Sequence, residues 1–464
     1  MIDGLKPYPE YKESGQAWLG SVPRHWPVLP NRAVFAEVKD RGHADEEMLS
    51  VTITRGIVPQ KTLLSDSSKK DNSRLDRSAY KLVQPRDIAY NKMRAWQGAI
   101  AVSDLRGIIS PAYIVMRLRE EQNARYFHHL YRTPQFAKEA ERWSYGITSD
   151  MWSLRPEHFK MIYSARPPRD EQGAIVRFLD HANGRIERAI RAKKKLIALL
   201  HEQKQAIIHR AVTRGLNPSI QQEFSGVDWL GNVPSHWRTS RLSRLSAKTG
   251  DGLHGTPQYV EQSPYPFING NNLVNGSIRL KASTRCVGKA EFQKHRVALD
   301  DSTILISING TIGSVAYYRG ESIILGKSAA YINCGKQLSR SYLFYYFQSA
   351  AVINVLKQEV TGTTIFNLSL ASIRRLQIAL PPLEEQIEIV SAIEKSIASV
   401  VSAISRTERE IELLREYRTR LVADVVTGKL DVRNVARELP AKADEPVLSV
   451  SDESEELIEE EQLA

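Results

Sequence analysis

Two groups of turn residues carry side chains suited to reading the edges of nucleic-acid bases. The first comprises Arg55, Asn91, Lys92, Arg94 and Thr148, with Trp96 and Tyr145 close by in sequence. The second comprises His254, Thr256, Gln258, Asn269, Asn271, Asn272, Thr363, Thr364 and Asn367. Arg, Asn and Gln offer paired hydrogen bonds that match individual base edges, whereas Lys, Arg, Ser and Thr serve phosphate oxygens. The same residue types also build turns and polar surfaces, and at each position both roles stand open. Asn269-Gly270, Asn275-Gly276 and Asn309-Gly310 in particular fit hairpin turns.

Covalent chemistry finds less support. Gly320 to Ser328, GESIILGKS, has five residues between its glycines where a phosphate loop needs four, and it ends a strand pattern instead of opening a helix. Glu37-Val38-Lys39 has a nuclease-like spacing but no partnered Asp. Ser110-Pro111-Ala112-Tyr113 has the wrong first and third residues for an adenine methyltransferase motif. Cys286 and Cys334 stand apart, with neither a Cys-x-x-Cys nor a His pair to make a zinc site or a disulfide framework. No ligand cluster suggests metal catalysis.

Charge points to a polyanionic partner. The net charge is +11, but from Glu438 onward ten acids stand against Lys442 alone, so residues 1–437 carry +20. A body that basic suits nucleic acid. The acidic tail, poor in aromatics, reads as a solvated, disordered end. Neither a signal core nor an apolar run of membrane-spanning length is evident, so a cytoplasmic location is expected.

The elements that would position these residues occur twice. Residues 167–216 align without a gap on 381–430, with fifteen identities that include Pro167/Pro381, Glu171/Glu385, Gln172/Gln386, Leu199/Leu413 and Thr213/Thr427. This is an internal duplication. Apolar residues recur at spacings of four and three: Leu179, Ile186, Ile190, Ile197, Leu200, Ile207 and Ala211, then Ile393, Ile397, Val400, Ile404, Ile411, Leu414, Leu421 and Val425. That period predicts two coiled-coil helices. Pro-Pro followed by acids opens each helix, and Gly215 and Gly428 close them. About 42 residues at 1.5 Å each make a rod of roughly 63 Å. Neither helix could bury its seam alone, and the two are expected to pair with each other. Asn183, Lys193 and Lys204 in the first seam, and Thr407 and Arg418 in the second, favour one defined register. Asn183-Gly184 is a point of expected weakness in the first helix.

A second repeat precedes each helix: Trp18-Leu19-Gly20-Ser21-Val22-Pro23-Arg24-His25-Trp26 matches Trp229-Leu230-Gly231-Asn232-Val233-Pro234-Ser235-His236-Trp237. It reads as a structural corner, with tryptophans packed under a Pro turn. Between opening motif and helix the patterns alternate as short strands (48–54, 86–93, 98–103 and 112–118; 265–270, 302–310, 313–318, 322–326 and 329–334). A helical stretch follows late in each module. The expected class is α+β, a pseudo-two-fold tandem repeat. Its segments are a first globular domain at 1–165, a central long helix at 166–215, a second globular domain at 216–379, a C-terminal long helix at 380–430 and an acidic tail at 431–464. The helices and opening motifs are alike while the module interiors differ. That contrast suits two equivalent surfaces meeting one partner twice, and two modules reading different half-sites of a split target.

Taken together, YPEYKESGQAWLGSVPRHW, PPRDEQ and PPLEEQ, AVTRGL and VVTGKL, and TGTTIFNLSL resemble the specificity subunit of type I restriction-modification systems over about residues 8–432. The resemblance implies two target recognition domains, each reading half of a bipartite double-stranded DNA site. It also implies an antiparallel coiled coil that sets the spacing and docks two methyltransferase subunits. The chain itself would hold no catalytic centre and no cofactor. S-adenosylmethionine would sit in the methyltransferase subunits, and ATP with Mg in a restriction-translocation subunit joined through the complex. Two other classes remain: a stand-alone DNA enzyme, which would turn over without a partner, and a protein-only coiled-coil scaffold, whose DNA affinity would be weak and insensitive to salt.

Overall fold

The computed structural model describes residues 5–64, 77–146, 152–360 and 367–440. It divides into two units, 1–193 with 409–464 and 194–408. The division cuts through both long helices, so each unit owns one half of each.

At the centre of the first unit is a four-stranded antiparallel sheet in the order Phe35–Val38, Tyr113–Leu118, Ile88–Asn91, Ile100–Val102. The second unit repeats that order with Ser246–Asp251, Ala329–Cys334, Thr303–Ser307 and Val315–Tyr317. Strands 88–91 and 303–307 are buried almost throughout, because both of their faces are covered. The helical stretch of the first module breaks into Ala124–Tyr131 and Pro134–Arg142, since Pro134 cannot continue the helix before it and instead starts the next at its first turn. In the second module the stretch divides at Ser349 into Arg340–Gln348 and Ala350–Gln358.

The long helices span Arg169–Arg214 and Leu383–Val426. The first runs on through Asn183-Gly184, and the expected weakness there does not interrupt it. Inside the first unit, Ile175, Phe178, Leu179 and Ala182 share a core with Leu421, Val425 and Val426. Farther along, Glu187 pairs with Arg418 and Lys193 with Glu410. One partner number rises as the other falls, so the helix halves are antiparallel. In the second unit Ile208, Ala211 and Val212 share a core with Ile389, Val390, Ile393 and Ile397. Lys193 and Arg418, which interrupt the apolar pattern, thus make cross-helix ion pairs. Part-exposed pairs of this kind set register more than they add stability.

The seam is followed with one displacement. Leu179, Ile186, Ile190, Ile393, Ile397, Val400, Ile404, Ile411, Leu421 and Val425 are buried, while Ile197, Leu200 and Leu414 are half-buried. Ile207 is only half-buried and its neighbour Ile208 is fully buried, because the helix end turns its core stripe toward the second module.

The C-terminal boundary differs from expectation. The sequence predicts an acidic tail from residue 431, yet Asp431 bridges to Lys6, Arg433–Glu438 is helical, and Val432 and Ala436 are fully buried in the first core. Two apolar residues four apart supply a helical face that the charge pattern hides. Residues 441–464 lie outside the described part. Among the described residues no helix is long and apolar enough to cross a membrane.

Candidate nucleic-acid interface

Each module is fastened to its helix ends by a repeated set of contacts. Gln172 and Gln386 are fully buried. The Gln172 amide donates to the carbonyl of Pro167 (2.8 Å) and to Gln122 Oε1 (2.7 Å), and its Oε1 accepts from Asn123 N (2.9 Å). Gln386 donates to the carbonyls of Pro381 and Gln337 (both 2.9 Å) and accepts from Ser339 N (2.8 Å). Asn123 and Ser339 are the N-caps of helices 124–131 and 340–348, so the glutamine ties a module helix to the start of a long one.

The preceding glutamate is held by the opening motif. Glu171, buried, meets His25 Nε2 at 2.9 Å and accepts from Tyr8 Oη. Glu385 meets His236 Nε2 at 2.8 Å and accepts from Trp237 Nε1 at 3.1 Å. The tryptophans pack as a corner should: Trp26 is fully buried and Trp237 nearly so. Beneath them pass the helix ends, at Gly428 (φ +80°) and Gly215 (φ +72°). A Cβ on Gly428 would lie 2.3 Å from Pro23 and 2.9 Å from Trp26, so this stop needs glycine for space as well as for conformation.

Sequence reasoning passed over two tyrosines. Tyr126 Oη donates to the carbonyls of Ala165 (3.1 Å) and Val426 (3.0 Å), and Tyr342 Oη to those of Ala379 (2.7 Å) and Val212 (3.0 Å). They stand at equivalent places in the two modules, and that alignment was the available signal. Burial pushes both phenols well above their ordinary pKa, so they remain donors.

On this frame the first unit gathers three of its five candidates. Strand 88–91 ends at Asn91, whose Oδ1 accepts from Met93 N at 3.0 Å and folds the chain into the turn that carries Lys92 and Arg94. Trp96 Nε1 pins that turn through the Met93 carbonyl (2.9 Å) and its ring meets Trp152 edge-on at 5.5 Å. The Lys92 carbonyl accepts from Leu154 N (2.8 Å), while Tyr145 and Ser153 pair with each other as an antiparallel bridge. An open cavity of about 550 Å³ lies between them, lined by Lys92, Tyr145, Arg155 and Glu157, with Tyr145 71% exposed. Arg55 is elsewhere, at the turn of hairpin 49–52/56–59, where its backbone N–H donates to Thr52 Oγ1 (3.0 Å). Thr148 lies outside the described residues.

The second unit has the equivalent turn after strand 303–307. Leu368 N donates to the Ile308 carbonyl (2.8 Å), as Leu154 does to Lys92, and Asn309 bridges to Asn367. Asn309, read from sequence as a hairpin turn, therefore stands beside the exposed Asn367, one residue past Ile308, which holds the place of Lys92 in the first module. Thr363 and Thr364 lie outside the described residues. His254, Thr256 and Gln258 are exposed on the loop after strand 246–251, with His254 Nε2 2.7 Å from Asp251 Oδ2. Strand Ile324–Leu325 runs between this loop and the turn at 269–272.

In that turn the asparagines divide. Asn272 is buried and spent: its amide donates to the Arg279 carbonyl (2.9 Å) and Thr284 Oγ1 (3.0 Å), and its Oδ1 accepts from Asn269 N (3.0 Å). Asn269 Oδ1 accepts from Ser328 Oγ (2.9 Å). Asn272 is thereby taken up in shaping the turn, Asn269 is tied to it through its Oδ1, and Asn271 alone is exposed.

The catalytic alternatives fare no better in three dimensions. Gly320–Ser328 leads into strand 329–334, not a helix. Glu37 is held by Lys160 (2.9 Å) and Lys39 (3.5 Å). Burial would raise its pKa, yet these cations bring it below the ordinary value. Among the described residues no three His, Cys, Asp or Glu side chains gather as a metal site.

Comparison with known proteins gives a consistent result. Residues 234–413 match the family described as type I restriction modification DNA specificity domain. A putative type I restriction enzyme MjaX specificity subunit of Methanocaldococcus jannaschii is 23% identical over 341 residues, 70% of this chain and 69% of that protein. The StySPI specificity subunit of Salmonella potsdam is 23% identical over 206 residues, 43% of this chain and 44%, under half, of its own length. A chain solved in work on assembly and conformational transition of a type I R-M system superposes with a TM-score of 0.60 at 16% identity, covering 87% of this chain and 98% of that one. That likeness speaks for the fold.

Proposed function

The chain belongs to the specificity-subunit family of type I restriction-modification systems, and from that premise we propose that its two modules read the two halves of one asymmetric, bipartite DNA site. The observation that carries this reading is a conserved frame with exchanged contents inside one chain. Both modules use the same sheet order, the same Glu-Gln clamp and the same tyrosine. Yet the turn leaving the central strand presents Asn91-Lys92-Met93-Arg94 in one and Ser307-Ile308-Asn309-Gly310 in the other. Equal frames with unequal polar turns suit two readers of different bases.

In this reading the long helices set the spacing between half-sites and dock two methyltransferase subunits, one for each repeat of the clamp. Methyl transfer to adenine with S-adenosylmethionine belongs to those partners. ATP with Mg belongs to a restriction-translocation subunit recruited through the complex, which works on cytoplasmic DNA. This chain's own residues bind and orient. The net charge of +20 on residues 1–437 supplies the sequence-independent part of the affinity, so binding should weaken about a thousandfold between 50 and 200 mM salt.

The test is co-expression with the methyltransferase partner followed by methylome sequencing. One split motif, methylated in both halves, is expected. Exchanging residues 1–165 for those of another member should change one half and leave the other untouched. Uniform methylation, or a swap that alters both halves together, would remove the proposal.

A further inference from the structure

Within the second unit, strand Tyr259–Val260 pairs antiparallel with Cys286–Val287 in the register Tyr259↔Val287. Arg285, two residues before Val287, is then the diagonal neighbour of Tyr259 on the same face. Its guanidinium carbon sits 4.8 Å from the Tyr259 ring centroid. Phe267 braces that ring edge-on at 5.8 Å, and Phe267 N donates to the Arg285 carbonyl at 2.8 Å. Backbone and ring are thus both fixed beneath an exposed arginine. Among the described residues its guanidinium has no carboxylate and no hydrogen-bond acceptor, and it lies over the face of the Tyr259 ring.

Arg285 and Asn271 line a polar cavity of about 170 Å³ with Ser283 and Thr284. The amide of Asn272 and the Oδ1 of Asn269 are spent inside the turn, so among the described residues the hydrogen-bonding capacity left open at this cavity is that of Arg285 and Asn271, with the Ser283 hydroxyl and Asn269 Nδ2 at its edge. The surrounding stretch is basic: Arg279, Lys281, Arg285, Lys289, Lys294 and Arg296 stand against Glu291 alone.

We propose that Arg285, seated over the Tyr259 ring, is a specificity-determining residue that reads a guanine in the half-site of the second module. The proposal rests on the DNA-reading assignment above and names a residue for it. A guanidinium fixed in plane directs two parallel N–H donors along one edge, which matches guanine O6 and N7. A phosphate contact needs charge but not a fixed plane, and lysine would serve it. The tyrosine platform costs the arginine its rotamer freedom before DNA arrives, so less is lost on binding.

The experiment uses the full chain in complex with its methyltransferase partner and a set of duplexes in which each position of both half-sites is varied singly. Arg285→Lys keeps the charge and loses the fork; Tyr259→Leu keeps the arginine and loses its platform. For Arg285→Lys, discrimination should fall roughly 5- to 150-fold at one G·C pair of one half-site, with every other position unchanged. Tyr259→Leu should weaken discrimination at that same pair. Unchanged discrimination at every position in Arg285→Lys would overturn the proposal. So would an Arg285→Ala variant that loses affinity equally at all positions with a shallower salt dependence while Arg285→Lys binds as the unaltered chain does, the mark of a phosphate contact. If the unaltered complex selected no split site at all, the DNA-reading premise would fail first, a result distinct from either.

Discussion

Replacing Gln386 by alanine should loosen the second module from the long helix that follows it, without altering which bases are read. The side chain is fully buried and makes three hydrogen bonds, at 2.9, 2.9 and 2.8 Å. Each such bond contributes about 1 kcal/mol net, and truncation strands two carbonyls and one N–H in a site that water does not reach. A loss of roughly 2–4 kcal/mol follows, and at about 2–4 °C per kcal/mol the second unit's melting transition should fall by roughly 5–15 °C. Gln172→Ala removes the corresponding three bonds and should produce a similar fall in the transition of the first unit. Calorimetry of the full chain gives the shift, and methylome sequencing at a permissive temperature gives the motif. A shift equivalent to less than about 1 kcal/mol in both variants would refute the reasoning, because three buried bonds cannot be that weak together. A changed motif would refute it from the other side, since the glutamine would then be acting on the reading surface.

Gly428→Ala should destabilise more than Gly215→Ala. Both sit at positive φ, which costs a non-glycine residue about 1–2 kcal/mol, but the nearest atom to the new Cβ is at 2.3 Å in the first case and 3.3 Å in the second. Denaturant titration of the two variants ranks them, and equal losses would deny the clash its part. Tyr342→Phe leaves two carbonyls buried without their donor and should cost about 1–3 kcal/mol with the motif intact, read by the same titration and by methylome sequencing. Asp431 should make the first unit acid-sensitive. Burial alone would raise its pKa, but the hydrogen bonds and charge of Arg433 outweigh that and hold it below the usual 3.8. Its stabilisation is therefore complete above the ordinary aspartate range and is lost as pH falls below 3.8 through the depressed folded-state value, and Asp431→Asn should flatten that part of an acid-unfolding curve.

What the chain determines by itself is the repetition and the rods. A 3.5-residue apolar period, Pro-Pro starts and glycine stops are local facts, and local backbone physics turns them into helices whatever surrounds them. The duplicated Glu-Gln pairs and His-Trp corners announced their equivalence through identity alone, although not that one would hold the other. Tertiary structure decided the rest, since it depends on partners distant in sequence. Asn269, Asn271 and Asn272 look alike as letters; Thr284 and Ser328 engage the outer two and leave the middle one exposed. Asn309 reads as a hairpin residue until Asn367 is brought beside it. The residues after 430 read as part of a solvated tail until Val432 and Ala436 find a core in which to bury. A polar side chain's role is fixed by whether something else in the fold meets its hydrogen-bonding groups, and no stretch of sequence carries that information alone.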